Sequence, residues 1–253
     1  MKSRYDCIYL SPHLDDAVLS CGGQIHQKSK AGEDVLVVTV MAGDSPTGSL
    51  SGFARGLHDR WQLGAETVPS RRQEDAAALA HLGADYLHWP VPDCIYRTDP
   101  TTGQAYYASE EALFGDVNAE EADIVDSLVQ LLKRLPPHRC LLAPLAVGNH
   151  VDHQITHQAA ERWLRPKKPI YYEDYPYAQE ENAVVIITTP RRVWQPEIIP
   201  ISDDAFQAKI DATVRYRSQI DTFFADIEEM SAQMKDYCDR IGGERIWLER
   251  TGV

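Results

Sequence analysis

The stretch Cys7-Ile8-Tyr9-Leu10-Ser11-Pro12-His13-Leu14-Asp15-Asp16-Ala17 constrains this chain more than any other. An apolar run that reads as a buried strand gives way at once to a proline, a histidine, two adjacent carboxylates and an amphipathic helix of roughly Ala17 to Ala31, with Asp15 or Asp16 placed to cap it. Asp34 to Met41 then forms a continuous apolar, β-branched run, the pattern of a parallel strand buried on both faces. Strand, helix, strand makes a βαβ unit. In open sheets of such units, ligands bind beyond the carboxyl ends of the strands, so polar residues crowded there invite a chemical reading.

The rest of the chain extends the alternation. Gly22-Gly23 inside the first helix predict a close approach of that helix to the sheet, since glycine otherwise weakens a helix interior. Gly43 to Ser70 reads as a long loop with a short helix, a segment of the kind that forms lids and binding loops. A helix is expected from Arg71 to a stop at Gly83, then a strand over Tyr86 to Trp89 with Asp93 past its end. Thr98 to Gly115 is irregular, and Glu120 to Leu135 is a helix stopped by Pro136-Pro137. Cys140 to Ala143 is a strand followed by a helix from about His150 to Leu164, which repeats the arrangement at the N-terminus. Pro169 to Tyr172 and Ala183 to Thr188 read as late sheet strands, Asp204 to Ile241 as long helix broken near Ala225, and Glu244 to Arg250 as one more strand. We expect a single domain over residues 1–253, an α/β, Rossmann-like three-layer sandwich around a mainly parallel sheet.

Composition narrows the partners. With 43% hydrophobic residues the chain can bury a substantial core. A net charge of −13 and no Lys/Arg-rich tract argue against nucleic acid or an anionic membrane and for a small molecule. No run approaches a membrane span and the N-terminus carries no signal-peptide core, so a cytoplasmic setting is expected, and a homo-oligomer is compatible with it. Five scattered cysteines without a C-x-x-C suggest neither a disulfide framework nor a thiolate cage, and Cys7, Cys21 and Cys140 read as core residues. No glycine-rich turn follows the first strand, which speaks against a nucleotide-binding Rossmann enzyme.

Two clusters share one topology: His13-x-Asp15-Asp16 and His150-x-Asp152-His153, each between a strand end and a helix start. Two histidines and a carboxylate with an open position suit a catalytic divalent metal, zinc first among candidates. Taken singly, each aspartate is as readily a helix cap, and a lone histidine is more often structural than a ligand. Two matching clusters reduce that bland alternative to roughly one in five. His153 and His157 have the i,i+4 spacing of helical metal ligands, but Gln154 stands where H-E-x-x-H enzymes carry glutamate, so His157 is expected beside the site or at the surface.

Ser-Pro-His-Leu-Asp-Asp-Ala together with Asn-His-Val-Asp-His resembles the paired signature of the PIG-L/LmbE-like deacetylases. Leu14 and Ala17 stand for the proline and glutamate of the family's P-H-P-D-D-E, and Val151 for the proline of H-P-D-H. Arg71-x-x-Glu74, Leu82-Gly83, Asp93, and Lys209 with Tyr216-x-Ser218-Gln219 extend the resemblance over nearly the whole chain. It implies zinc-dependent removal of an N-acetyl group from an N-acetylglucosamine-type amino sugar conjugate. His13, Asp16 and His153 would be zinc ligands, with another divalent metal as the alternative. Asp15 would be the general base and a protonated His150 the electrophilic partner, with Asp152 orienting an imidazole or capping a helix. Arg71 would hold a substrate hydroxyl or phosphate, and Asp93 sugar hydroxyls. The tyrosines of Tyr171 to Tyr177 could line a sugar or acyl pocket, whereas Trp61, Trp89, Trp194 and Trp247 read as packing residues. Competing readings are an amidase for a sugar-thiol or other N-acyl conjugate and a metal-binding relative without catalysis.

Overall fold

A computed structural model describes residues 1–180, 182–188 and 193–250. Its strands are β1 (Tyr5–Ser11), β2 (Val35–Thr39), β3 (Asp85–His88), β4 (His138–Pro144), β5 (Ile170–Tyr172), β6 (Val193–Ile199) and β7 (Glu244–Arg250). Its helices are α1 (Asp16–Lys30), α2 (Gly52–Trp61), α3 (Thr67–Leu82), α4 (Glu110–Leu113), α5 (Ala122–Leu132), α6 (Val151–Leu164), α7 (Ala183–Thr188), α8 (Asp203–Thr213), α9 (Arg217–Phe223) and α10 (Ile227–Ile241).

The strands form one sheet in the order β3-β2-β1-β4-β5-β7-β6. β1 to β5 pair in parallel, and β7 runs antiparallel to both β5 and β6. The period-two alternation of strands sorts side chains into two layers. Ile8, Leu10, Leu36 and Val38 meet Leu128, Leu132, Ile155 and Ala159 of α5 and α6 on one face. Cys7, Tyr9, Val35 and Val37 meet Val18, Cys21 and Ile25 of α1, Leu79 and Leu82 of α3 and Ala208 and Ala212 of α8 on the other. This is the expected three-layer α/β sandwich.

The chain winds outward from β1 through β2 to β3, then returns to place β4 on the other flank of β1. Neighbouring parallel strands thus send their connections in opposite directions at β1 and β4, which opens a crevice at their carboxyl ends. His13 follows β1, and His150 follows β4.

Several elements depart from expectation. Ala183–Thr188 is helix rather than strand: Ala183, Val184 and Ile187 pack on the core at helical spacing, overriding β-branched propensity. The strand lies instead at Val193–Ile199, where Pro196 is tolerated because β6 is an edge strand. The late helical stretch is divided at 214–216 as well as near Ala225. α3 begins four residues before Arg71, so this arginine sits inside a helix. The helical glycines serve an approach to α8 and its preceding loop as well as to the sheet: a Cβ on Gly22 would lie 2.9 Å from Lys209 Cγ, and one on Gly23 2.8 Å from Ile201 Cγ2 and 3.0 Å from Glu244 Oε1 of β7.

Cys7 and Cys140 lie in or against the core as expected, but they occupy paired positions in β1 and β4 and form a disulfide that the cysteine spacing did not suggest. Their separation of 133 residues carries no spacing signal; only the strand order brings them together. Among the described residues no helix is long and apolar enough to cross a membrane.

Leu79, fully buried between α3 and the sheet, tests this packing. Leu79→Ala is expected to cost about 2–5 kcal/mol of unfolding free energy by urea denaturation, with the dependence on denaturant unchanged.

Candidate active site

The turn after β1 is shaped by backbone bonds and one serine. Val40 and Met41 donate their backbone N–H groups to Ser11 O and Pro12 O, tying the turn to the end of β2. The Ser11 hydroxyl donates to His13 O at 2.6 Å and accepts from Ala17 N at 3.0 Å, so Ser11 satisfies the exposed start of α1. Neither aspartate caps that helix as expected. Asp16 Oδ2 accepts instead from His13 N at 2.7 Å, which folds its carboxylate back over the turn.

After β4 the chain turns through Ala146, Gly148 and Asn149, all at positive φ. Gly148 is required there, because a Cβ would lie 2.7 Å from the Tyr177 side chain. Asn149 Nδ2 donates to Phe114 O and Gly115 O at 3.0 Å, and α6 starts at Val151. His150, not Asp152, caps α6: its Nδ1 accepts from Asp152 N at 3.2 Å. The Asp152 side chain turns inward and is fully buried.

The two turns meet. The ring centroids of His13, His150 and His153 lie 4.8–5.4 Å apart. His13 Nε2 donates to Asp152 Oδ2 at 3.0 Å, and His153 Nδ1 donates to Asp174 Oδ1 at 2.6 Å. Because a carboxylate only accepts, each contact puts the proton of the neutral imidazole on that nitrogen and leaves the other bare. The bare atoms face a common point: Asp16 Oδ2 is 3.2 Å from His13 Nδ1 and 3.3 Å from His153 Nε2. His153 Nε2 is buried and has no hydrogen-bond partner. Acceptors converging in this way call for positive charge among them, as protons on the imidazoles or as a cation. Their spacing matches the edge of about 3.3 Å of a tetrahedron with metal–ligand lengths of about 2.0 Å, and two imidazoles with a carboxylate is a donor set for a catalytic divalent metal with an open position. His13, Asp16 and His153 therefore fit a metal ion.

Electrostatics agree. Burial lowers the pKa of His13, but Asp93, Asp152 and Asp16 raise it well above the ordinary histidine value. Burial likewise opposes the charging of His153, yet Asp16 and Asp174 lift it to about 9. Without metal, protons answer the negative charge that a cation would otherwise meet. Asp15 has its carboxyl pushed up to about 7 by burial and the neighbouring Asp16 charge, against the pull of Arg71 and His13. His150 departs from the expected protonated form: burial and the facing His13 and His153 hold it well below the ordinary value. With Nδ1 accepting from a backbone N–H, its single proton belongs on Nε2.

These groups form one end of a cleft of about 140 Å³. Asp15, Arg71, Asp93 and His150 line it beside His13 and Asp16. Arg71 Nη2 lies 3.6 Å from Asp15 Oδ2, and its guanidinium stacks 4.8 Å from the Trp61 ring, so Trp61 is more than packing. Asp93 has two roles: Oδ1 accepts from Ile95 N at 3.2 Å, while Oδ2 is 3.8 Å from His13 Nε2. Of the tyrosine run only Tyr177 lines the cleft; Tyr171 and Tyr172 are core. His157 is set apart, with Nδ1 against Pro144 O and its ring stacked on Tyr171. The sequence reading missed Asp174, whose position just past β5 repeats that of Asp93 past β3. Phe53 and Leu57 of the cleft's outer wall come from the Gly43 to Ser70 segment expected to form a binding loop, whereas Leu113, Phe114, Phe223 and the buried Arg97 were missed, for no local pattern marks them.

The family model for PIG-L, described as GlcNAc-PI de-N-acetylase, matches residues 8–164, which include both histidine clusters. This chain belongs to the PIG-L family. It is 28% identical over 192 residues to a 2'-N-acetylparomamine deacetylase of Niallia circulans, covering 69% of this chain and 68% of that protein. A protein of the same name from Streptomyces fradiae is 28% identical over 223 residues, covering 85% and 73%. Among solved PIG-L-type structures, the zinc-inhibited form of teicoplanin deacetylase Orf2 superposes with a TM-score of 0.80 at 27% identity, covering 99% of this chain and 100% of that one. The A40926 pseudoaglycone deacetylase Dbv21 superposes with a TM-score of 0.78 at 27% identity, covering 98% of each.

Titration of the chelator-stripped protein with cobalt or zinc is expected to give about one ion per chain, with proton release. Asp174→Asn is expected to weaken that binding about 10- to 100-fold with the far-UV circular dichroism unchanged. Equal affinity in the variant would remove Asp174 from the site.

Proposed function

We propose that residues 1–253 act as one zinc-dependent deacetylase domain, which removes an N-acetyl group from an amino sugar conjugate. The observation that carries the reading is the convergence of His13 Nδ1, His153 Nε2 and Asp16 Oδ2 beside a second, high-pKa carboxylate on Asp15. Support for the substrate class comes from relatives named for deacetylating acetylparomamine and the teicoplanin and A40926 antibiotics.

Zinc held by His13, Asp16 and His153 would supply Lewis acidity and a water of lowered pKa. The Asp15 carboxylate, buried beside Asp16 and lining the cleft, takes the proton of the attacking water. His150 donates from Nε2 to the oxyanion that develops on the amide carbonyl, while its Nδ1 stays with the Asp152 amide. The C–N bond breaks as Asp15 passes its proton to the leaving amine, releasing acetate and the free amino sugar. Arg71 limits the drift of Asp15 from 3.6 Å away and, with Asp93, offers charged hydrogen-bonding groups to sugar hydroxyls. The facing aromatic wall suits the apolar faces of a sugar ring or its conjugate.

The zinc-loaded protein is expected to release acetate and a free amine from N-acetylglucosamine conjugates. Asp15→Asn should keep its zinc and lose about 10²- to 10⁴-fold in kcat, whereas His13→Ala should lose zinc and activity together. Undiminished turnover in Asp15→Asn would refute the base assignment.

A further inference from the structure

The two imidazoles that face Asp16 are held by carboxylates in different settings. Asp174, behind His153, accepts one further bond, from Val147 N at 2.9 Å. Asp152, behind His13, is built into a longer chain. Its Oδ2 accepts from Cys94 N at 2.9 Å as well as from His13, and its Oδ1 accepts from Arg97 Nη1 at 2.6 Å. Arg97 comes from the irregular segment after β3 and is buried. The other side of its guanidinium grips Glu121, Nε to Oε1 at 2.5 Å and Nη2 to Oε2 at 3.3 Å. Glu121 is buried too and accepts from the Tyr107 hydroxyl at 2.5 Å, and the Tyr107 ring lies 5.5 Å from the guanidinium carbon.

We propose that Arg97 is a positioning residue for the metal centre: clamped between Glu121 and Asp152, it fixes the carboxylate that turns His13 Nδ1 toward the ion. The inference rests on His13 being a metal ligand. Two buried carboxylates on either side of one arginine form an assembly that a planar, fork-shaped cation can bridge and a point charge cannot. With Oδ1 held by Arg97, the Asp152 carboxylate has one orientation, and in it Oδ2 meets both Cys94 N and His13 Nε2. If that clamp is released, the carboxylate can rotate, the proton on His13 is no longer confined to Nε2, and the bare nitrogen is no longer presented. Arg97, Glu121 and Tyr107 do not line the cleft, so Arg97 acts on the reaction through Asp152 and the His13 it holds.

The test uses the full chain stripped of metal by chelator. Zinc affinity is measured by competition with a chromophoric chelator for wild type, Arg97→Lys and Arg97→Met, with thermal unfolding of each protein with and without zinc. Arg97→Lys keeps the charge and loses the fork; it is expected to keep the wild-type circular dichroism and bind zinc about 10-fold more weakly. Arg97→Met is expected to lose about 100-fold, within the range for groups that support metal ligands. A residue important only for folding would lower the unfolding temperature with and without zinc alike and leave affinity untouched. If Arg97→Met does not fold, Arg97→Lys alone decides. Wild-type affinity in Arg97→Lys overturns the role of Arg97 while leaving the metal centre standing. Wild-type protein that binds no zinc overturns both.

Discussion

Everything at the active edge depends on β1 and β4 being hydrogen-bonded parallel neighbours. Cys7 faces Cys140 and Tyr9 faces Leu142 in their register, so the two strands end side by side and release their turns over the same crevice. That adjacency, with the ends of β3 and β5 beside it, places Asp15, Asp16, Asp93, Asp152 and Asp174 around three imidazoles, with Arg71 and Arg97 as the arginines paired to them among the described residues. Buried charge without compensation is costly, and Arg97 is shared between Asp152 and Glu121, so the two arginines do not balance the carboxylates around them. In the metal-free protein the answer is protonation: His13 and His153 move up and Asp15 is pushed to about 7. A dication would answer part of the same demand with one particle, at the point that His13 Nδ1, His153 Nε2 and Asp16 Oδ2 share.

The division of labour follows the architecture. The atoms that converge on one another come from strand ends and the first turns of α1 and α6, which are held by the sheet. The cleft's outer wall comes from connections: α2 lies between β2 and α3, α4 between β3 and β4, and α9 between β6 and β7. Arg60 of α2 and Glu110 of α4 approach to 3.8 Å, so two of these connections touch across the cleft. Connections accept changes of length and side chain more readily than strands. The reacting end can therefore stay constant while the wall is matched to different conjugates. The apolar character of Phe53, Leu57, Leu113, Phe114 and Phe223 distinguishes this wall from the charged floor.

Much of this was legible in the residue order, for identifiable reasons. Strand ends followed by His-x-Asp patterns announce themselves because a buried apolar run rarely gives way to so many polar groups without chemistry, and the parallel strands could be read from unbroken β-branched runs. What could not be read depends on contacts between distant segments. Nothing local in Arg97 or Glu121 distinguishes them from surface charges; their burial exists only because the loop after β3 and the start of α5 close over Asp152. Asp174 was masked by the aromatics around it. Ala183–Thr188 misled because β-branched residues favour strands until a helical stripe finds a core to pack on. The Cys7–Cys140 bridge needed the strand order, which the sequence does not state.

The departures from the family signature fall where they do least to the site. Leu14 is buried, Ala17 packs in the layer between α1 and the sheet, and Val151 joins Ala54, Leu57, Cys94 and Ile95 beneath α2. None of the three lines the cleft. What the turns need from residues 14, 17 and 151 is volume and a backbone that follows the Ser11 and His150 bonds, and Ala17 supplies the N–H that Ser11 accepts. A proline at position 14 would fix φ but would bring no donor or acceptor to the ion. The motif is therefore best understood as a set of positioned nitrogens and oxygens on His13, Asp15, Asp16, His150 and His153, with the intervening side chains free to vary so long as they fill the space behind them.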